Sequence, residues 1–160
     1  MGYVTFPEDA ASLAFKLTPE RDWDVDYGGG DGTLEQMGDN LSVPEPGTYQ
    51  LTANLNDLTW SADPYSWGVI GDATVGGWDV DQDLTYDYEQ DAWTITTDLT
   101  PGEIKFRLNN DWATNYGDDD LGDATLNAEG ANIPITTAGT YEVILNVSGD
   151  EPTYSLTLME

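Results

Sequence analysis

The sequence predicts an all-β chain built as an immunoglobulin-like antiparallel β-sandwich. Short segments of alternating apolar and polar residues recur along the chain, and a period of two is typical of a half-buried strand. Turn residues separate these segments, with 17 Gly and 8 Pro among the 160 residues. A helical pattern with capping residues is not found at any position. Short strands separated by turns are expected to pack as two antiparallel sheets.

The first predicted domain covers residues 1–65. Alternation predicts strands at residues 3–6, 13–17, 41–43, 48–55 and 58–60. Residues 23–39 are rich in Gly and Asp, so we expect a loop there. The boundary is predicted at Ala62-Asp63-Pro64, because proline favours extended or turn geometry in the preceding residue.

The second predicted domain covers residues 66–160 and has the fuller set of strands. Alternation predicts strands at residues 67–70, 84–88, 92–99, 103–108, 132–135, 140–147 and 153–158. Residues 71–77 form a Gly-rich loop that delivers Trp78, and residues 115–129 form a long acidic loop. In the strand at 103–108, Ile104 and Phe106 alternate with Lys105 and Arg107, so the two cations are expected on one face.

An internal repeat is the strongest sign of organisation. Gly38-Asp39-Asn40-Leu41 matches Gly130-Ala131-Asn132-Ile133, and Pro46-Gly47-Thr48-Tyr49 matches Ala138-Gly139-Thr140-Tyr141. The first copy has no counterpart of residues 67–88. We therefore expect a truncated module followed by a complete one. A sheet deprived of an edge partner exposes N–H and C=O groups, which invites pairing with another chain or with a neighbouring segment.

Composition excludes several classes of function. With 31 acidic and 4 basic residues the net charge is −27, so a polyanion is repelled and nucleic acid is not an expected partner. The absence of Cys and His excludes thiolate metal sites, a Ser-His-Asp arrangement and most zinc sites. The sequence contains no run of about 18 apolar residues, so it predicts no membrane-spanning helix. Since Met1-Gly2 directly precedes a predicted strand and no signal peptide follows, we expect a segment of a longer protein.

The few cations of the chain are clustered with aromatic residues. Two stretches, residues 13–28 and 103–117, contain all the basic residues of the chain: Lys16, Arg21, Lys105 and Arg107. Each stretch ends in the same W-x-x-x-Y-G spacing, at residues 23–28 and 112–117. A neutral sugar fits such a cluster, because an aromatic ring covers its C–H face while charged and amide groups bind its hydroxyls. The candidate ligand-binding residues are Trp78, Lys105, Arg107, Asn109, Trp112 and Tyr116. A second site in the first copy would use Lys16, Arg21, Trp23 and Tyr27.

The second predicted domain resembles a known family of surface proteins. The runs that carry the resemblance are Val69-Ile70-Gly71-Asp72-Ala73-Thr74, Gly77-Trp78-Asp79, Glu103-Ile104-Lys105-Phe106-Arg107, Trp112, Asn115-Tyr116-Gly117 and Gly139-Thr140-Tyr141. Together they resemble the C-terminal domains of SusE and SusF-type proteins, the surface starch-binding lipoproteins of the Bacteroidetes outer membrane. The resemblance covers residues 66–160 well, and residues 3–60 as a truncated preceding domain.

The resemblance implies β-sandwich modules carried on a lipid anchor at the outer face of the outer membrane. Such modules bind α-glucan without cutting it and supply the bound glucan to an associated outer-membrane glycan transporter. The family pattern of aromatic platforms beside Lys or Arg falls here on Trp78, Trp112, Tyr116, Lys105 and Arg107. The anchor and the signal are absent from the sequence, so membrane association is expected only through an anchor outside it.

Three other interpretations compete with glycan binding. In a structural spacer or adhesion module, Lys105 and Arg107 pair with carboxylates, Trp112 covers the core and Tyr116 forms a corner. A glycosidase needs two carboxylates at a defined separation, and the 31 acidic residues nominate no pair, so we expect no catalysis. Residues 22–28 imitate the start of a calcium loop, but the Gly falls one place late and Thr33 stands at position twelve. We therefore expect no metal and no cofactor.

Overall fold

The structure is a computed structural model that describes residues 1–159, and no helix occurs in that range. The chain divides into two compact units, Met1–Tyr65 and Ser66–Glu160. Both units consist of antiparallel strand pairs, so the expected all-β class is confirmed. In the described part of the chain, no helix is long and apolar enough to cross a membrane.

Seven strands form the first unit. They are β1 Gly2–Phe6, β2 Ala14–Phe15, β3 Tyr27–Gly28, β4 Glu35–Gln36, β5 Leu41–Ser42, β6 Gly47–Asn54 and β7 Thr59–Pro64. β6 lies between β1 and β7 in one sheet, while β2 pairs with β5 and β3 pairs with β4. The loop predicted at residues 23–39 therefore contains the β3 and β4 pair. Strands of two residues are too short to show an alternating pattern.

Ten strands form the second unit over the residues described, 66–159. They are β8 Trp67–Gly71, β9 Gly77–Asp83, β10 Thr85–Asp87, β11 Ala92–Leu99, β12 Gly102–Leu108, β13 Asn115–Gly117, β14 Asn127–Ala128, β15 Ile133–Ile135, β16 Gly139–Asn146 and β17 Thr153–Leu158. One sheet has the order β10-β11-β16-β17, and the other has the order β14-β13-β12-β8-β9 with β15 paired to β12. Trp78 was expected in a loop, but the structure places it in strand β9.

The two sheets of the second unit face each other across an apolar core. Phe106 of β12 contacts Tyr154 of β17 with ring centroids 6.1 Å apart, and the Thr97 hydroxyl of β11 donates to Gln82 of β9 at 3.0 Å. The fully buried side chains of this core come from both sheets, and include Val69, Ile104, Phe106, Val143 and Leu145. This arrangement is consistent with a β-sandwich.

Several local contacts occur in the same form in both units. The Tyr49 hydroxyl donates to the carbonyl of Glu45 at 3.0 Å, and the Tyr141 hydroxyl donates to the carbonyl of Thr137 at 2.9 Å. In each case the acceptor lies four residues before the tyrosine, at the start of a long strand. The tyrosine therefore fixes the same corner in each unit.

The strand registers also agree between the units. Phe6 of β1 lies opposite Gly47 of β6, as Leu99 of β11 lies opposite Gly139 of β16. A second agreement is the left-handed residue before a glycine, Met37 with φ 58° in one unit and Glu129 with φ 58° in the other.

Close backbone packing requires the glycines Gly117 of β13 and Gly28 of β3. A Cβ atom on Gly117 would overlap the carbonyl oxygens of Ala131 and Gly130, and one on Gly28 would overlap those of Asp39 and Gly38. These backbone segments can approach only because no side chain stands between them.

We expect Gly117→Ala to lower the free energy of unfolding by about 1 to 3 kcal/mol, because the backbone must move apart to admit a methyl group. Gly149→Ala is the matched control, since a Cβ atom there meets nothing closer than 4.0 Å. Urea unfolding followed by tryptophan fluorescence measures both variants. Equal stability of the two would contradict the packing argument.

Candidate functional site

The outer face of strand β12 carries the two predicted cations. In the pairing of β12 with β8, Lys105 lies opposite Ile70 and Arg107 lies opposite Gly68. Phe106, between them, faces the core and contacts Tyr154. Since successive side chains of a strand point to opposite faces, Lys105 and Arg107 share the face that is turned away from the other sheet.

Arg107 forms a buried ion pair with Asp81 of β9. Its Nε donates to both carboxylate oxygens of Asp81 at 2.8 Å, and its Nη2 donates to Oδ1 at 2.5 Å. The side chains are only 8% and 1% exposed. A Cβ atom on Gly68 would lie 2.8 Å from Oδ2 of Asp81, so the glycine of the intervening strand makes room for the pair.

Trp112 covers the guanidinium group of Arg107. The Cζ atom of Arg107 lies 4.7 Å from the centroid of the Trp112 ring, within the range of a cation–π interaction. Trp78 of β9 packs beside Trp112, with ring centroids 6.1 Å apart and an angle of 35° between the ring planes. Trp112 is 44% exposed and Trp78 is half-buried. We call these two side chains the tryptophan pair.

The turn after β12 positions Trp112. Asn109 and Asn110 both have φ 55°, a left-handed conformation that asparagine adopts more readily than most residues. The Asn109 Oδ1 accepts from the backbone N–H of Ser66 at 2.8 Å, and its own N–H donates to the Ser66 carbonyl at 2.7 Å. Asn115 Nδ2 donates to the carbonyl of Trp112 at 2.9 Å. The turn is thus held at both ends.

The six predicted site residues occupy different environments. Lys105 is half-exposed and forms no ion pair within residues 1–159. Asn109 is exposed but ties the turn to Ser66. Tyr116 lies opposite Phe106 in the pairing of β12 with β13, so it is on the other face of the sheet from the two cations. There it stacks on Trp67 with ring centroids 5.4 Å apart.

The structure therefore brings together Trp78, Trp112 and Arg107, leaves Lys105 on the same strand face as Arg107, and places Tyr116 on the opposite face. Arg107 was expected to bind ligand hydroxyls, but its Nε and Nη2 are committed to Asp81. Sequence reasoning missed Asp81 as the partner. The sequence signal for it was the alternation of Asp79, Asp81 and Asp83, which is typical of residues on one face of a strand.

A second carboxyl group of β9, that of Asp83, has a raised pKa. Burial raises the pKa of the Asp83 carboxyl, and the nearby Asp81 carboxylate raises it further. Both effects disfavour the charged form of Asp83. The carboxyl groups of Asp81 and Asp83 thus place negative charge close to one buried cation, the guanidinium of Arg107.

In the first unit the cation Lys16 is also paired with a carboxylate, that of Asp26. The Lys16 ammonium pairs with Asp26 at 2.5 Å and donates to the Gly38 carbonyl at 2.6 Å. Lys16, Asp26 and the exposed Trp23 line a cavity of about 410 Å³. Arg21 and Tyr27 are not among its lining residues. Two of the four residues predicted for a second site thus share a cavity, but the lysine is already paired.

Within residues 1–159, no group of three or more acidic side chains is placed so that it could hold a metal ion.

No protein-family model matches the sequence, and no curated protein is significantly similar to it.

We expect Arg107→Ala to lower the free energy of unfolding by about 3 to 5 kcal/mol, because the buried Asp81 carboxylate would lose its partner. Lys105→Ala is the matched control on the same strand face, and we expect a change within about 0.5 kcal/mol. Urea unfolding at pH 7 measures both. A small effect of Arg107→Ala would show that Asp81 is solvated without it.

Asp83→Asn is expected to stabilise the protein at neutral pH. Because the pKa of Asp83 is raised in the folded state, its favourable contribution is complete below about pH 4 and is lost as pH rises through the raised pKa. The unfolding free energies of wild type and variant should therefore agree at pH 4 and diverge toward pH 7. A variant that is less stable than wild type at pH 7 would show that the carboxylate makes a favourable contact.

Proposed function

We propose that residues 66–160 form a non-catalytic, immunoglobulin-like β-sandwich module that binds a neutral glycan, with a starch-like α-glucan as the ligand. The observation that carries this proposal is the tryptophan pair on the outer face of the β12 sheet. Two adjacent indoles with a tilt between their planes suit a curved chain of sugar rings. Their position turned away from the core leaves part of Trp112 accessible to a ligand.

The apolar face of a sugar ring is the part that an indole would bind. Stacking removes roughly 100 Å² of apolar surface from water, which corresponds to at most ~2.5 kcal/mol per ring before ordering costs. Two such contacts give the weak to moderate affinity that is typical of repeated binding along a polymer. A neutral ligand also avoids repulsion by a chain of charge −27.

The polar residues of the site have separate roles in this proposal. Lys105 supplies the accessible ammonium that donates hydrogen bonds to sugar hydroxyls. Arg107 acts as a positioning residue, because its guanidinium is paired with Asp81 and supports the Trp112 ring. Asp81 accepts from Arg107 in three contacts, so it is not free to act as an acid or base. This supports binding without catalysis.

The first unit is proposed to be a truncated copy of the same module. The shared tyrosine contacts and the matching registers of β1 with β6 and of β11 with β16 support this equivalence. In the cellular setting that the family resemblance implies, the chain is held at the outer face of the outer membrane by a lipid anchor and supplies a glycan transporter. That setting is part of the proposal.

Affinity electrophoresis in gels with amylopectin tests the glycan site. We expect amylopectin to retard the wild type, and we expect Trp78→Ala and Trp112→Ala to migrate as in a gel without polysaccharide. Tyr88→Ala is the matched control, since it removes another exposed aromatic ring of the same unit, 64% exposed, and should remain retarded. Circular dichroism of each variant checks that the fold is retained.

Three outcomes would contradict the proposal. A wild type that migrates freely would exclude starch-like glucan and favour the spacer interpretation. Retention of binding in both tryptophan variants would place the site elsewhere. Release of reducing ends from amylopectin would show catalysis.

A further inference from the structure

One buried polar atom beside the tryptophan pair has no hydrogen-bond partner. Asn115 is only 8% exposed, and its Oδ1 is buried and accepts no hydrogen bond within residues 1–159. Its Nδ2, in contrast, donates to the carbonyl of Trp112 at 2.9 Å. A buried carbonyl oxygen without a partner is uncommon and destabilising. The partner that this oxygen lacks is a hydrogen-bond donor.

Asn115 lies on the same face of the sheet as the two cations. In the pairing of β12 with β13 it lies opposite Arg107, and side chains that lie directly opposite each other share a face, with Cβ atoms roughly 5 Å apart. The Trp112 ring covers the guanidinium of Arg107, and the Asn115 amide contacts the backbone of the same tryptophan. The unpartnered oxygen therefore lies within the candidate site.

The polar groups assigned to glycan binding so far include donors but no free acceptor. The ammonium of Lys105, the guanidinium of Arg107 and the indole N–H groups can only donate. The Asp81 carboxylate accepts from Arg107 in three contacts, and Asn109 Oδ1 accepts from a backbone N–H. A sugar hydroxyl both donates and accepts, so a site made only of donors leaves its hydrogen unpaired. The amide oxygen of Asn115 is the acceptor that such a hydroxyl needs.

The ring of Trp112 can shift without loss of the hydrogen bonds that hold its turn. Those bonds involve backbone atoms, because Asn115 donates to the Trp112 carbonyl and Asn109 is bonded to the backbone that precedes β8. The ring itself contacts Arg107 and Trp78 and is 44% exposed. Exposed side chains change rotamer within nanoseconds. Movement of this ring thus leaves the turn in place.

We propose that Asn115 Oδ1 is the hydroxyl acceptor of the glycan site and that the Trp112 ring controls access to it. In the free protein the ring covers the oxygen. On binding, the ring moves aside and a sugar hydroxyl donates to Oδ1, which then has the partner that it lacks in the free chain. The inference rests on the proposed glycan binding, and it names the ligand group that the site recognises, a hydroxyl hydrogen.

Calorimetric titration of the full chain with β-cyclodextrin, a cyclic α-glucan, and with its fully O-methylated derivative tests the acceptor. Methylation keeps the apolar faces and the acceptor oxygens of the sugar but removes every hydroxyl hydrogen. We expect the wild type to bind the methylated ring at least about tenfold more weakly, because Asn115 Oδ1 would remain without a donor.

Two variants separate loss of the acceptor from the bulk of the methyl groups. Asn115→Leu removes Oδ1 at nearly constant size, and we expect weaker binding of β-cyclodextrin, with affinities for the two rings within about threefold of each other. Asn109→Ala is the matched control, because it loosens the same turn and keeps Asn115. It should weaken binding of both rings alike and preserve the wild-type ratio. Circular dichroism checks each fold, and Asn115→Ala is used if the leucine variant does not fold.

The outcomes distinguish this inference from the proposed function. A wild type that binds neither ring would exclude the α-glucan site and the inference with it. Equal binding of the two rings by the wild type would overturn the inference alone. An Asn115→Leu variant that keeps the wild-type ratio would do the same, because the missing donor would then be a buried water molecule and not the ligand.

Discussion

The ion pair between Arg107 and Asp81 is the interaction on which the outer face of the second unit depends. It connects β12 with β9 across β8, at a residue where Gly68 leaves space for the carboxylate. Taking both charges out of water is costly, and bidentate geometry with a covering indole offsets that cost. Because the guanidinium supports Trp112, the same pair fixes the ring against which Trp78 packs. A chain with four cations thus uses one of them to build this surface.

Part of the candidate site could be predicted from the sequence. Alternation along residues 103–108 placed Lys105 and Arg107 on one face, and the structure has them there. The closeness of Trp78 to Trp112 could not be derived, since it depends on a register shift between Val69 and Gly71 in the β8 and β9 pair and on two left-handed asparagines. Tyr116 was grouped with the site from its spacing and from the family resemblance. Its face is set by the register with Phe106, which no local pattern encodes.

In the fold as well, the features set by local sequence were predictable and those set by tertiary contacts were not. Long alternating strands such as β6, β11 and β16 were predictable, and the chain divides between Tyr65 and Ser66. Strands β3, β4, β13 and β14 have two or three residues, so their pairing is decided by tertiary contacts. Strand β9 was missed because Gly76 and Gly77 suggested a loop. The acid that binds Arg107 was one of 31, and only the fold selects it.

The tyrosine corners have a consequence for the order in which these units form. Each joins a hydroxyl to a carbonyl only four residues away, so closing the contact costs little chain entropy. The long strand that follows each corner forms a hairpin with the next strand in sequence. These contacts need no residue from the leading strands, and short loops close before long ones. The C-terminal half of each unit can therefore set its own topology during synthesis, without a contribution from the strands that precede it.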